Sequence, residues 1–159
     1  LYAAVNTAAR VELWERPASG SARVLLPADN PDTGFEEAAV TPAGDLVASI
    51  VGGKTARSLY VQPIRPGGAR VRVATDSLLW EPRWRPDGRE LYHVDDNRHR
   101  LMAIDVTNGD PVQVGNLRAL REFRHWEYAP SRDGQRFLTA VPVASSSAPD
   151  VIEVILNWA

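Results

Sequence analysis

The chain has no cysteine, which excludes disulfides, a thiolate nucleophile and any zinc site built on cysteine. This absence does not fix the compartment, because a cysteine-free domain is stable on either side of a membrane. Lysine is nearly missing too: Lys54 is the only one, and the other basic residues are arginines, as a biased genome would give. Charge of one sign is also lacking. The net charge is −2 and the basic residues are interleaved with acids, so there is no patch for a nucleic acid. Apolar runs such as Val151 to Leu156 fall far short of the ~20 residues a membrane helix needs. The sequence opens on a strand pattern, without Met or a signal-peptide pattern, so the chain is expected to be a piece of a longer protein. Catalytic signatures are absent as well: no Gly-x-Ser-x-Gly elbow, no His-Glu-x-x-His, no phosphate-binding loop and no kinase His-Arg-Asp or Asp-Phe-Gly pair. The 159 residues, 44% hydrophobic and 24% charged, have the composition of one ordinary globular domain.

What is present is a repeat. The stretch Glu81 to Val106 contains a tight turn at Pro86-Asp87-Gly88, an apolar run Leu91 to Val94, a polar loop, and a second run Leu101 to Val106. Asp-Gly between alternating apolar residues marks a hairpin, because glycine accepts the positive φ of a tight turn. Gly44 and Gly134 are the counterparts of Gly88, at a period of about 45 residues. The runs after these glycines match one another and match Leu1 to Val5. A following strand recurs at Val11 to Trp14, Ser58 to Val61, Arg100 to Ile104 and Val151 to Leu156. Outer strands follow at Ala22 to Leu26, Ala69 to Ala74 and Pro111 to Val114, the last reached by a type I′ turn at Asn108-Gly109. Four strands per unit at this period predict an all-β chain of propeller blades, over about 1–27, 35–75, 78–117 and 125–159. Two blades are complete and the terminal ones are not. The linker Arg118 to Arg124 is expected to form a helical turn or a long loop. Strands apolar on both parities, such as Leu46 to Val51, predict sheets covered on both faces, as a blade between two neighbours is. A free-standing sandwich ranks second.

The segment from Arg83 to Val94, followed by Arg100 to Val106, resembles the TolB-like, WD-like β-propeller repeat of bacterial proteins. In that repeat an aromatic precedes a Pro-Asp-Gly turn. Thr41-Pro42-Ala43-Gly44 departs from it, and Arg132 stands where the family has Pro. The stretch with Tyr128, Asp133 to Leu138 and Val154 to Trp158 is similar to the end of propellers at the C-terminus of bacterial serine/threonine kinases and related regulators. The resemblance implies a bacterial protein, favours an extracytoplasmic setting, and places any kinase chemistry outside this chain.

Several residues are weighed as sites. His93, His99 and His125 show no local ligand spacing, and His93 alternates within a strand, which assigns it a packed or hydrogen-bonded core role. Ser145 to Ser147 read as a solvated loop. Asp95-Asp96-Asn97 offers oxygens to a calcium ion but lacks the glycine and distal glutamate of a calcium hand, so an Asx-type turn is the better reading. Trp84 sits at the turn-anchoring position and is expected to pack between blades. Trp80 and Trp126 lie nearer a rim, where a ligand or partner could rest on them. Counting seven residues back from each turn glycine gives Glu37, Glu81 and Glu127. One account has them paired across blades with Arg83, Arg85 or Arg124. The other has three carboxylates in an arc at one channel mouth, facing a cation or a cationic ligand.

The expected function is a non-catalytic scaffold for protein interaction or ligand sensing within a larger bacterial regulatory protein. The rival is the propeller of an enzyme, such as a prolyl-oligopeptidase-like peptidase or a propeller hydrolase. No cofactor, no nucleic acid and no membrane insertion are expected. Partners are a protein or small ligand on the channel face and the remaining blades of the parent protein, since blades cut short would leave apolar faces to dimerise, aggregate or dock.

Overall fold

The computed structural model describes residues 2–5, 11–15, 19–21, 23–26, 34–52, 56–65, 68–76, 78–124 and 127–140. Among them there is no helix, and the strands form four antiparallel sheets in chain order. The first sheet pairs β1 (Tyr2–Val5), β2 (Val11–Glu15) and β3 (Arg23–Leu26) in succession. The second is a four-stranded meander of β4 (Gly34–Val40), β5 (Leu46–Gly52), β6 (Arg57–Pro63) and β7 (Val71–Asp76). The third joins β8 (Leu79–Trp84), β9 (Glu90–Asp95) and β10 (Arg100–Thr107), with β11 (Gln113–Val114) and β12 (Arg118–Glu122) both on the outer edge of β10. The fourth pairs β13 (Tyr128–Pro130) with β14 (Phe137–Thr139). Expected strands at Leu46 to Val51, Leu91 to Val94 and Leu101 to Val106 are found; Val151 to Leu156 lies outside the described residues.

One turn is built three times. The N–H groups of Gly44, Gly88 and Gly134 donate to the carbonyls of Thr41, Arg85 and Ser131 at 2.9, 2.8 and 3.0 Å. All three glycines have φ between +70° and +75°, the left-handed region where a Cβ would strain the backbone. Asp87 and Asp133 each accept the N–H two residues on, at 3.0 Å, which is the local bond that makes aspartate a turn residue. Where the second sheet has Ala43 instead, Thr41 takes over, its hydroxyl accepting from the N–H groups of Asp45 and Leu46 at 3.2 Å. The weak match of that turn to the repeat is thus offset by a different side chain.

Two expectations fail. The stretch from Arg118 is neither helical turn nor loop: β12 pairs antiparallel with β10, so the third sheet continues past Leu117 to Glu122. Its exposed, charged pattern hid an edge strand whose stability comes from the ladder rather than from an apolar face. Asn108-Gly109 is not a type I′ turn, since neither residue has positive φ and that turn needs it at both. The chain reaches β11 through a loop containing a cis Asp110–Pro111 peptide, and the Asn108 side chain donates to Asp45 at 2.7 Å.

The third sheet carries both cores. Leu91, Ile104, Val106 and Trp84 pack against Leu46, Ala48, Ile50, Leu59 and Val61 of the second sheet. Tyr92, Val94, Leu101 and Ala103, one residue out of phase, pack against Tyr128 and Phe137 of the fourth. Period-two side chains therefore serve opposite faces of one strand, and both faces are buried. Trp84 bridges as expected: only 7% exposed, it donates its indole N–H to the Ala39 carbonyl of the second sheet at 3.0 Å.

Candidate functional site

Strand β8 contains a β-bulge, because Trp80 pairs with Val94 while Arg83 pairs with Tyr92, leaving Glu81 and Pro82 opposite one residue. Glu81 takes φ of 53° there. A bulge takes backbone groups out of the ladder, and they then need other partners. Both come from neighbouring sheets. The Glu37 carboxylate accepts from the Glu81 N–H at 2.5 Å, and the Tyr128 hydroxyl donates to the Glu81 carbonyl at 2.7 Å. Burial pushes the Glu37 carboxyl up from its ordinary range, and the Glu81 N–H pulls it back. Burial also holds the Tyr128 hydroxyl well above its usual value.

The three glutamates of the register therefore meet three different environments. Glu37 caps the bulge of the next sheet, Glu81 forms an ion pair with Arg83, and Glu127 is exposed. Among the described residues no cluster of three or more carboxylates and imidazoles is placed to hold a metal ion, so the three glutamates do not form a cation-binding arc. Of the expected arginine partners, Arg83 does pair with Glu81, but within β8 and not across blades, while Arg85 reaches Asp87 and Glu90, and Arg124 reaches Glu122. Glu81, Arg83 and Glu127 do share one cleft of about 430 Å³, closed by Tyr128, Leu138 and Thr139. It presents two carboxylates and one guanidinium, a lining for a charged or zwitterionic group.

Trp80 is not an open platform. The Arg57 guanidinium lies 3.9 Å from its ring centroid and is also paired with Glu36, while the indole packs on the core shared with the fourth sheet. Such stacking occupies the face a ligand would use. Trp126 and His125 lie outside the described residues. Asp95 behaves as an Asx-type group, accepting the Arg98 N–H at 3.2 Å.

Sequence reasoning missed a second cleft, of about 290 Å³, between the third and fourth sheets. Its centre is Glu90, whose side chain is 8% exposed and paired with Arg118; Arg85 stands 3.7 Å away and the Tyr92 hydroxyl donates at 2.7 Å. Burial and this carboxylate push the Tyr92 hydroxyl above its ordinary value. A signal was present: Glu90 stands where the preceding repeat has the core residue Leu46.

With sheets and clefts in view, the comparisons are informative. A family model described as Lipoprotein LpqB beta-propeller domain matches residues 4–146. The chain belongs to that family. No curated protein matches it. Among solved structures it is similar to a putative 6-phosphogluconolactonase from Bacteroides uniformis ATCC 8492, at 14% identity and a TM-score of 0.54. That match covers 84% of this chain and 41% of the other, so this LpqB-type propeller chain spans less than half the length of its structural relative. At this identity the likeness is one of fold.

Proposed function

We propose that this LpqB-type propeller segment is a non-catalytic scaffold that binds a protein or small ligand on its channel face, within a larger bacterial regulatory protein. The family match supports a lipoprotein parent. The similarity to kinase C-terminal propellers rests on Tyr128, Asp133 to Leu138 and Val154 to Trp158, and it stands as the second reading of the parent. The carrying observation is the cleft between β8 and the β13–β14 hairpin, where Glu81, Arg83 and Glu127 converge on one opening. Mixed charge over an apolar wall of Leu138 and Ala140 suits an amino acid or a charged peptide segment. Further blades of the parent protein complete the partners.

Thermal-shift titration with amino acids and short charged peptides tests this. Stabilising ligands are expected to lose their effect in Arg83→Ala and in Glu127→Ala. The rival enzyme reading takes its cue from the lactonase-like neighbour. Hydrolysis of a lactone by the purified chain, abolished by either substitution, would overturn the scaffold reading.

A further inference from the structure

His93 is only 1% exposed, and neither ring nitrogen has a hydrogen-bond partner among the described residues. A buried neutral imidazole has one donor and one acceptor to satisfy, and leaving such groups bare costs about 1–3 kcal/mol each. The ring lines a cavity of about 320 Å³ between the end of β7 and the β8–β10 strands. Directly across the ladder, Met102 is the register partner of His93, so both side chains stand on the face turned to the second sheet. Met102 lines the same cavity and is 9% exposed. It is the only methionine of a chain without cysteine, and hence the only sulfur.

Around this pair the lining is Leu79 and Leu117 on one side and a charged clasp on the other. In the clasp, Arg98 pairs with Asp95 at 2.5 Å and with Asp76 at 2.8 Å. Arg98 thus engages both carboxylates that border the cavity. Leu117 and Arg98 are exposed and give a way in from solvent. Because no described group engages either ring nitrogen, the neutral imidazole has a lone pair available for coordination.

We propose that this cavity is a site for a soft monovalent cation, Cu(I) or its analogue Ag(I), held between the imidazole of His93 and the thioether of Met102. Thioether and imidazole together select a soft d10 ion, whereas Mg(II) and Ca(II) seek oxygen ligands that the Arg98 clasp has already engaged. The inference is independent of the channel-face cleft, which lies between the third and fourth sheets and shares no lining residue with this cavity.

The test is anaerobic Cu(I) titration of the full chain against a chromogenic Cu(I) chelator, with Ag(I) calorimetry in parallel. One ion per chain is expected, with affinity falling at least a hundredfold in His93→Leu and about tenfold in Met102→Leu. X-ray absorption on the unsubstituted protein is expected to show one sulfur neighbour, which can only be Met102; this reading needs no variant to fold. Failure to compete with the chelator, a copper shell without sulfur, affinities unchanged by both substitutions, or equal affinity for Zn(II) would each overturn the proposal.

Discussion

His93 should make the stability of this protein depend on pH in a window where few other groups titrate. In the unfolded chain the imidazole takes its proton near 6.5; in the fold that value drops to about 4, because burial penalises the cation more than Asp95 helps it. Between these values the unfolded state holds a proton that the native state does not. Stability from this residue is therefore full above 6.5, declines as pH falls, and is gone below about 4. At about 1.4 kcal/mol per pH unit, the loss is about 3 kcal/mol. Leucine in place of His93 removes the titration and also the two bare nitrogens, so it should be neutral or mildly stabilising at pH 7. Urea unfolding followed by tryptophan fluorescence, from pH 7 to pH 4, should show the two proteins diverging by about 3 kcal/mol in favour of His93→Leu. Carboxylates titrating in the same range cancel in the difference between them. Parallel stability curves would refute the reasoning, since they would mean that the imidazole is hydrated or is charged in the fold.

The three turn glycines allow a graded comparison. Gly44→Ala has open space and only the backbone penalty, about 1 kcal/mol; Gly134→Ala would place a Cβ 2.7 Å from the Tyr92 hydroxyl oxygen, adding about 1 kcal/mol or more of overpacking. Equal urea midpoints for the two would show that Tyr92 and Arg85 give way freely. Tyr128→Phe removes the donor to the Glu81 carbonyl and should cost about 1–1.5 kcal/mol, read as a shift in denaturant midpoint; no shift would mean that water replaces the hydroxyl. Glu90→Gln leaves Arg118 and Arg85 facing a neutral group and should cost about 1–2 kcal/mol, less than a fully buried pair because Arg118 is 44% exposed. The cost should shrink at high salt, and a cost unchanged by salt would point to packing instead of charge.

The amino-acid sequence by itself determined the repeat, the three glycine turns and the strands that follow them. Those features are local: a left-handed φ, an Asx bond and period-two apolarity are set by residues within one hairpin. It also placed Trp84 between blades and His93 in the core, since position within a repeated unit implies burial. It did not determine what the repeated glutamates do. Glu37, Glu81 and Glu127 share a register position, yet Glu37 ends on a backbone N–H and Glu81 on an arginine two residues away. The difference comes from the β8 bulge, which the neighbouring sheets satisfy and no local pattern announces. Likewise Arg118 to Glu122 carries no strand signal, because β10 supplies its partners across the ladder. Only the tertiary structure sets the third sheet between two others, and with it the His93–Met102 pair, the Arg57 lid on Trp80 and the buried Glu90. Each of these joins residues far apart in the chain or on opposite strands. Their energies depend on distance and desolvation, and those are fixed only when the sheets pack.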